Sequence, residues 1–126
     1  MTWIYKQATG DLFHNGKYVA SGYSGRDWAK NNPEAERARA VGPIPRGKWR
    51  IGVPYESKNT GPYTIPLTAQ DGKPDDVHQP TGRSAFRIHG DSIRNPGTAS
   101  HGCIILSRSI RQKIWASGDK DLEVIS

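Results

Sequence analysis

A chain of 126 residues with 18 Lys and Arg against 12 Asp and Glu carries a formal charge of +6, which fits one basic domain and excludes a two-domain enzyme. Its 34% hydrophobic residues suffice for a small core and exclude disorder, while 14 Gly and 9 Pro favour short strands and turns over a helical bundle. A single cysteine, Cys103, excludes an intramolecular disulfide, and no apolar run approaches the ~20 residues of a membrane span.

The opening MTWIYKQATGDLF has no apolar stretch of the secretory kind, so a protein made in the cytoplasm without a signal peptide is expected. The same segment starts a series of short strands: TWIYKQ, LFH, then KYVAS after Asn15-Gly16, a strong hairpin signal. GYSGRDWAKNN follows, rich in turn formers, and Pro33 then opens EAERARA, a run of good helix formers with almost no apolar face. The sequence predicts a short surface helix there. Trp49, Ile51 and Val53 alternate with polar or small residues as a half-buried strand. Tyr63–Ala69 reads as a weaker strand, which Pro66 demotes to an edge or a bulge. Asp71–Arg83 is a polar loop, SAFRIHG a strand ending near Gly90, and HGCIIL another apolar run. Ser107 is placed to cap a helix through Ser117 carrying Ile110 and Ile114 on one face, with Gly118 as its stop and DLEVI as a last strand. The expected architecture is one mostly β domain over residues 1–126 with one or two short helices.

The densest chemistry lies between Ile88 and Ile104, where IHG and SHGC bracket a loop, with ten residues between His89 and Ser100. A cysteine nucleophile needs a neighbouring base, and glycines beside it let backbone approach a substrate carbonyl closely. On a strand His101 and Cys103 face one way, whereas His89 ends another strand and can meet Cys103 across a loop, so the residues alone permit either histidine as base. The plain alternative is a buried structural cysteine beside two hydrogen-bonded histidines. Tyr23 and Trp49 read as turn or core anchors.

SHGC after an upstream IHG resembles the catalytic signature of the YkuD-like L,D-transpeptidases. GYSG, NNP, GPIPRGKWRI, FRIHG and GTASHGCIIL together are similar to the type VI secretion L,D-transpeptidase effectors, from Trp3 to about Leu106. The resemblance implies an L,D-transpeptidase-type β-sandwich or partly closed barrel. It also implies an antibacterial toxin, acting in the periplasm of a target bacterium on peptidoglycan tetrapeptide stems, with a type VI carrier and a cognate immunity protein as partners. Carried over position by position, Cys103 is the nucleophile and His89 the base, with His101 in support. Ser100, Gly102 and Gly90 shape the site and its oxyanion hole. Asp91 is a candidate orienter of His89, against the plainer reading of a solvated loop carboxylate. Arg83, Arg87, Arg94 and Arg108 flank the motif as candidate clamps for stem carboxylates. No cofactor, metal, nucleic acid or membrane insertion is implied.

Two departures matter. The ten residues between His89 and Ser100 are fewer than in the housekeeping signature, and Ile105 replaces a polar residue. A shortened loop reshapes the acceptor side, which favours removal or exchange of the fourth-position D-Ala over cross-linking of two stems. The competing readings are a zinc module built from His78, His89, His101 and Cys103, a peptidoglycan-binding module without catalysis, and a basic nucleic-acid binder lacking any recognised motif.

Overall fold

Asn15-Gly16 makes the hairpin it predicts. In the computed structural model, which describes residues 2–73 and 75–126, both residues have positive φ, 54° and 76°, the turn geometry whose twist matches the flanking strands. They join β2 (Asp11–His14) to β3 (Lys17–Ser21), and β2 pairs on its other side with β1 (Trp3–Lys6). Then come β4 (Tyr23–Ser24), β5 (Gly47–Ile51), β6 (Tyr55–Ser57), β7 (Gly61–Ala69), β8 (Val77–His78), β9 (Arg83–Ser84), β10 (Arg87–His89), β11 (Ile104–Ile105), helix α1 (Arg108–Ala116) and β12 (Asp121–Ile125).

The main sheet runs β3-β2-β1-β12-β5-β7-β10-β11-β4, with β6 also on β7, and β8 and β9 form a separate pair. The fold is mostly β with one α-helix, and the sheet is not closed into a barrel. Its end strands, β3 and β4, are consecutive in the chain and are linked through Gly22 rather than by a ladder. Joining the two ends by one residue makes the sheet curl around its core. A Cβ on Gly22 would lie 1.8 Å from the carbonyl oxygen of Ile105, so only glycine fits this crossing.

Trp3 and Tyr5 of β1, Trp49 and Ile51 of β5, Ile65 and Leu67 of β7, Ile88, Ile104, Ile114 of α1, and Leu122 and Val124 of β12 fill that core. Each such burial contributes about 1.5–3 kcal/mol. Trp49 is a core anchor: its indole N–H donates to the Pro45 carbonyl (3.1 Å), and its ring packs against Phe86 and His78.

Three expectations need correction. The helix at Pro33 is a single 3-10 turn, Pro33–Ala35, started by the Asn32 side chain accepting from the Glu34 amide. Without an apolar stripe, EAERARA gains too little from packing to offset the cost of helix nucleation. Pro66 sits in β7, the longest strand, between β5 and β10, rather than on an edge. The proline is tolerated because it falls where the partner on one side changes from β6 to β5, and its carbonyl still accepts from the Gly52 amide at 2.9 Å. The strand through Trp49 stops at Ile51, which leaves Val53 exposed.

The pairing of β10 with β11 positions the motifs. These strands are parallel, Ile88 opposite Ile104 and His89 opposite Ile105. Parallel neighbours need a crossover of a dozen or more residues, and Gly90–Cys103 is that crossover. The separation between IHG and SHGC is therefore a topological requirement.

Candidate active site

Cys103 immediately precedes β11, one register step before Ile104, beside Arg87 of β10. Alternation along strands puts Cys103 and His89 on the same face as diagonal neighbours about 7–8 Å apart at Cα, within side-chain reach. Both line one cleft of about 590 Å³, together with Asn59, Gly90, Asp91 and Thr98. A second cleft, of about 320 Å³, reaches Cys103 from the other side past Arg39, Ala40, Gly82, Ala85 and Phe86. Cys103 and His101 belong to both clefts and divide them.

The two histidines differ in what their ring nitrogens do. Buried His89 donates from Nδ1 to the Gly90 carbonyl at 2.9 Å, which leaves Nε2 as the unprotonated nitrogen. Burial is the chief reason its pKa lies below the ordinary 6.5; the Gly90 carbonyl opposes that shift and the Arg111 charge adds to it. Exposed His101 has Nδ1 3.1 Å from the Ala40 carbonyl and Nε2 3.2 Å from Arg26 Nη1. The guanidinium only donates, so Nε2 accepts and Nδ1 donates. Both nitrogens of His101 are thus engaged, whereas His89 keeps one available.

Burial also pushes the Cys103 thiol above its ordinary value, against the Arg87 amide and the Arg87 and Arg83 charges, which draw it down. The thiol lies 3.7 Å from the Ala85 carbonyl. At neutral pH the pair is accordingly a thiol and a neutral imidazole.

Ser100 and Gly102 act in the scaffold. The buried Ser100 hydroxyl donates to the Cys103 carbonyl (2.6 Å) and accepts from the amides of Gly25 (2.8 Å) and Gly102 (3.1 Å). The Gly102 amide is therefore engaged and is not an oxyanion donor. What the site requires of Gly102 is its φ of +135° and a missing side chain, since a Cβ would sit 2.4 Å from Arg83 Nη2. Ser24, which the sequence reading did not single out, donates to the Gly102 carbonyl at 3.0 Å and accepts from the Ile44 amide at 2.8 Å. GYSG thus clamps SHGC from 78 residues away; the one sequence signal was a small polar residue inside a quoted turn string.

Asp91 does not orient His89; the Gly90 carbonyl does. The Asp91 carboxylate accepts from the Tyr23 hydroxyl (2.6 Å) and from the Ser92 and Gly97 amides, which fixes the crossover loop. Tyr23 in turn accepts from the Ala99 amide at 3.0 Å, and burial followed by the Asp91 contact raises its hydroxyl pKa to about 12.

Three of the four candidate clamps are engaged elsewhere. Arg83 is buried and donates to four backbone carbonyls, of Glu36, Gly42, Pro43 and His101, at 2.6–3.2 Å. Arg87 binds Asp76, Tyr55 and the Phe86 carbonyl. Arg108 lies over the Tyr63 ring, and neither it nor exposed Arg94 lines either cleft. The zinc set also disperses: His78 stacks on Trp49 and bonds Thr81, and among the described residues no three His, Cys, Asp or Glu side chains lie close enough to share a metal.

Residues 18–124 match the family model described as the Tlde1 domain. The crystal structure of an L,D-transpeptidase from Stackebrandtia nassauensis superposes with a TM-score of 0.54 at 19% identity, covering 99% of this chain and 55% of that one. The likeness shows the fold, and the chain spans just over half the length of that protein. No curated protein matches the sequence.

Proposed function

Because the chain belongs to the Tlde1-domain family of type VI L,D-transpeptidase effectors, we propose that it edits peptidoglycan tetrapeptide stems by cysteine acyl transfer. The observation that carries this reading is the state of His89: one nitrogen tied to Gly90, the other an available base, on the face that holds Cys103.

In the proposed cycle His89 Nε2 takes the Cys103 proton as Sγ attacks the carbonyl of the third stem residue. The C–N bond to the fourth-position D-Ala breaks, and the imidazolium returns its proton to the departing amine. A thioester and free D-Ala result. Water then attacks the thioester, His89 again serving as base, and releases a tripeptide stem and the thiol. A free D-amino acid attacking in place of water leaves an altered tetrapeptide. The short Gly90–Ala99 loop favours these small acceptors over a second stem. The site of action under this reading is the periplasm of a target bacterium, reached on a type VI carrier, with an immunity protein guarding the producer.

Mass spectrometry of a disaccharide-tetrapeptide incubated with the protein, with and without D-Met, tests the chemistry. Loss of D-Ala, or its exchange for D-Met, is expected, and both should vanish in Cys103→Ala. An unchanged substrate with the wild-type protein rejects the catalytic reading and leaves a peptidoglycan-binding module. Abundant cross-linked dimers would reject the preference for small acceptors.

A further inference from the structure

Arg39 is set apart by a comparison of the ten arginines. Arg26, Arg37, Arg46, Arg50, Arg83, Arg87 and Arg111 bond carbonyls, carboxylates or His101, and Arg108 covers Tyr63. Arg39 and Arg94 have no such partner among the described residues, and only Arg39 lines a cleft that contains Cys103. That smaller cleft has no acidic side chain; its charged members are Arg39 and Arg83, whose two terminal nitrogens are both tied to backbone carbonyls, and Ala40, Ala85 and Phe86 make it partly apolar. The larger cleft holds the Asp91 carboxylate.

The direction in which substrate lies across Cys103 follows from the proton. His89 must protonate the departing amine, which is on the C-terminal side of the scissile bond, and His89 lines only the larger cleft. The acyl half of the substrate, N-terminal to that bond, is left with the smaller cleft.

We propose that Arg39 binds a carboxylate carried by the acyl half of the stem and makes the enzyme prefer donors that bear it. The inference rests on the acyl-transfer reading above. A planar guanidinium at the mouth of a cleft without competing anions holds a carboxylate through two parallel hydrogen bonds. A γ-linked glutamate at the second stem position keeps such a free carboxyl, on the acyl side of the scissile bond.

Two tetrapeptide stems test this, one with that carboxyl free and one with it as the carboxamide. Wild-type kcat/KM should favour the free acid about tenfold. The ratio should fall to near one in Arg39→Gln, reverse in Arg39→Glu, and keep its wild-type value in Arg94→Gln. Equal wild-type rates on the two stems, or a ratio untouched by Arg39→Gln, would overturn the proposal. Calorimetry of both stems with Cys103→Ala separates it from the catalytic reading. Preferential binding of the acid without wild-type turnover keeps Arg39 and rejects acyl transfer, whereas equal or absent binding rejects the role of Arg39.

Discussion

The walls on either side of Cys103 are built in different ways. His89 stands on β10, between β7 and β11, and its ring position follows from sheet register and one carbonyl in the next residue. His101 stands in a loop, and its position depends on Arg26 and Ala40, 75 and 61 residues away in sequence. The sheet-built wall leaves a nitrogen available for chemistry, and the loop-built wall engages both ring nitrogens of His101 in holding the loop in place. Role therefore follows from what each ring has left to offer, although both histidines sit in His-Gly pairs.

The comparison breaks most directly at the histidines. His89→Asn should lower kcat/KM on a tetrapeptide stem by about 10²–10⁴, the usual contribution of a general base. His101→Asn should cost about tenfold, because an amide keeps one of the two hydrogen bonds and no proton transfer is lost. Equal losses in single-turnover assays, with matched circular dichroism spectra, would mean the loop-built wall also carries the chemistry.

A second break falls on Arg83, which ties the loop wall to Gly42 and Pro43. Replacing it with methionine keeps the bulk and strands buried carbonyls, each unpaired acceptor costing about 1–3 kcal/mol. Arg83→Met is expected to lose at least about 3 kcal/mol in urea unfolding. A loss under about 1 kcal/mol would mean that the guanidinium is a surface cation after all.

The contrast between the walls also explains what was legible in the sequence. IHG, SHGC, the Asn15-Gly16 hairpin and helix α1 with Ile114 facing the core are local patterns, and local patterns determine them. Ser107 takes the capping position of α1 by its backbone, yet its hydroxyl pairs with Ser109 instead of a helix amide. The Ser24 clamp on Gly102 and the Arg83 staple were not legible, since contacts across 78 and 41 residues leave no periodicity behind. Arginines near a motif look alike in sequence, and only the fold distinguishes the engaged Arg83 from Arg39. The Pro33 segment misled in the opposite direction: its helix formers carry no face for the core to select.

The smallest effect concerns the charges around the sheet-built wall. His89 is a base only when neutral, and burial sets its pKa below 6.5. The acid limb of kcat/KM should therefore lie below pH 6.5, with activity intact at neutral pH and lost as pH falls through the depressed value. Asp91 is one of the influences that raise the His89 pKa. Asp91→Asn removes that charge while keeping an oxygen for the Tyr23 and Gly97 contacts, so the limb should move further down by less than about one pH unit. The plateau rate should fall less than about tenfold. An orienting carboxylate would behave otherwise: its loss would cut the plateau by 10² or more, as expected when a base loses its alignment. A pH–rate profile of the variant from pH 4 to 9 separates a distant charge from a member of the catalytic set, and the Gly90 carbonyl on Nδ1 predicts the former.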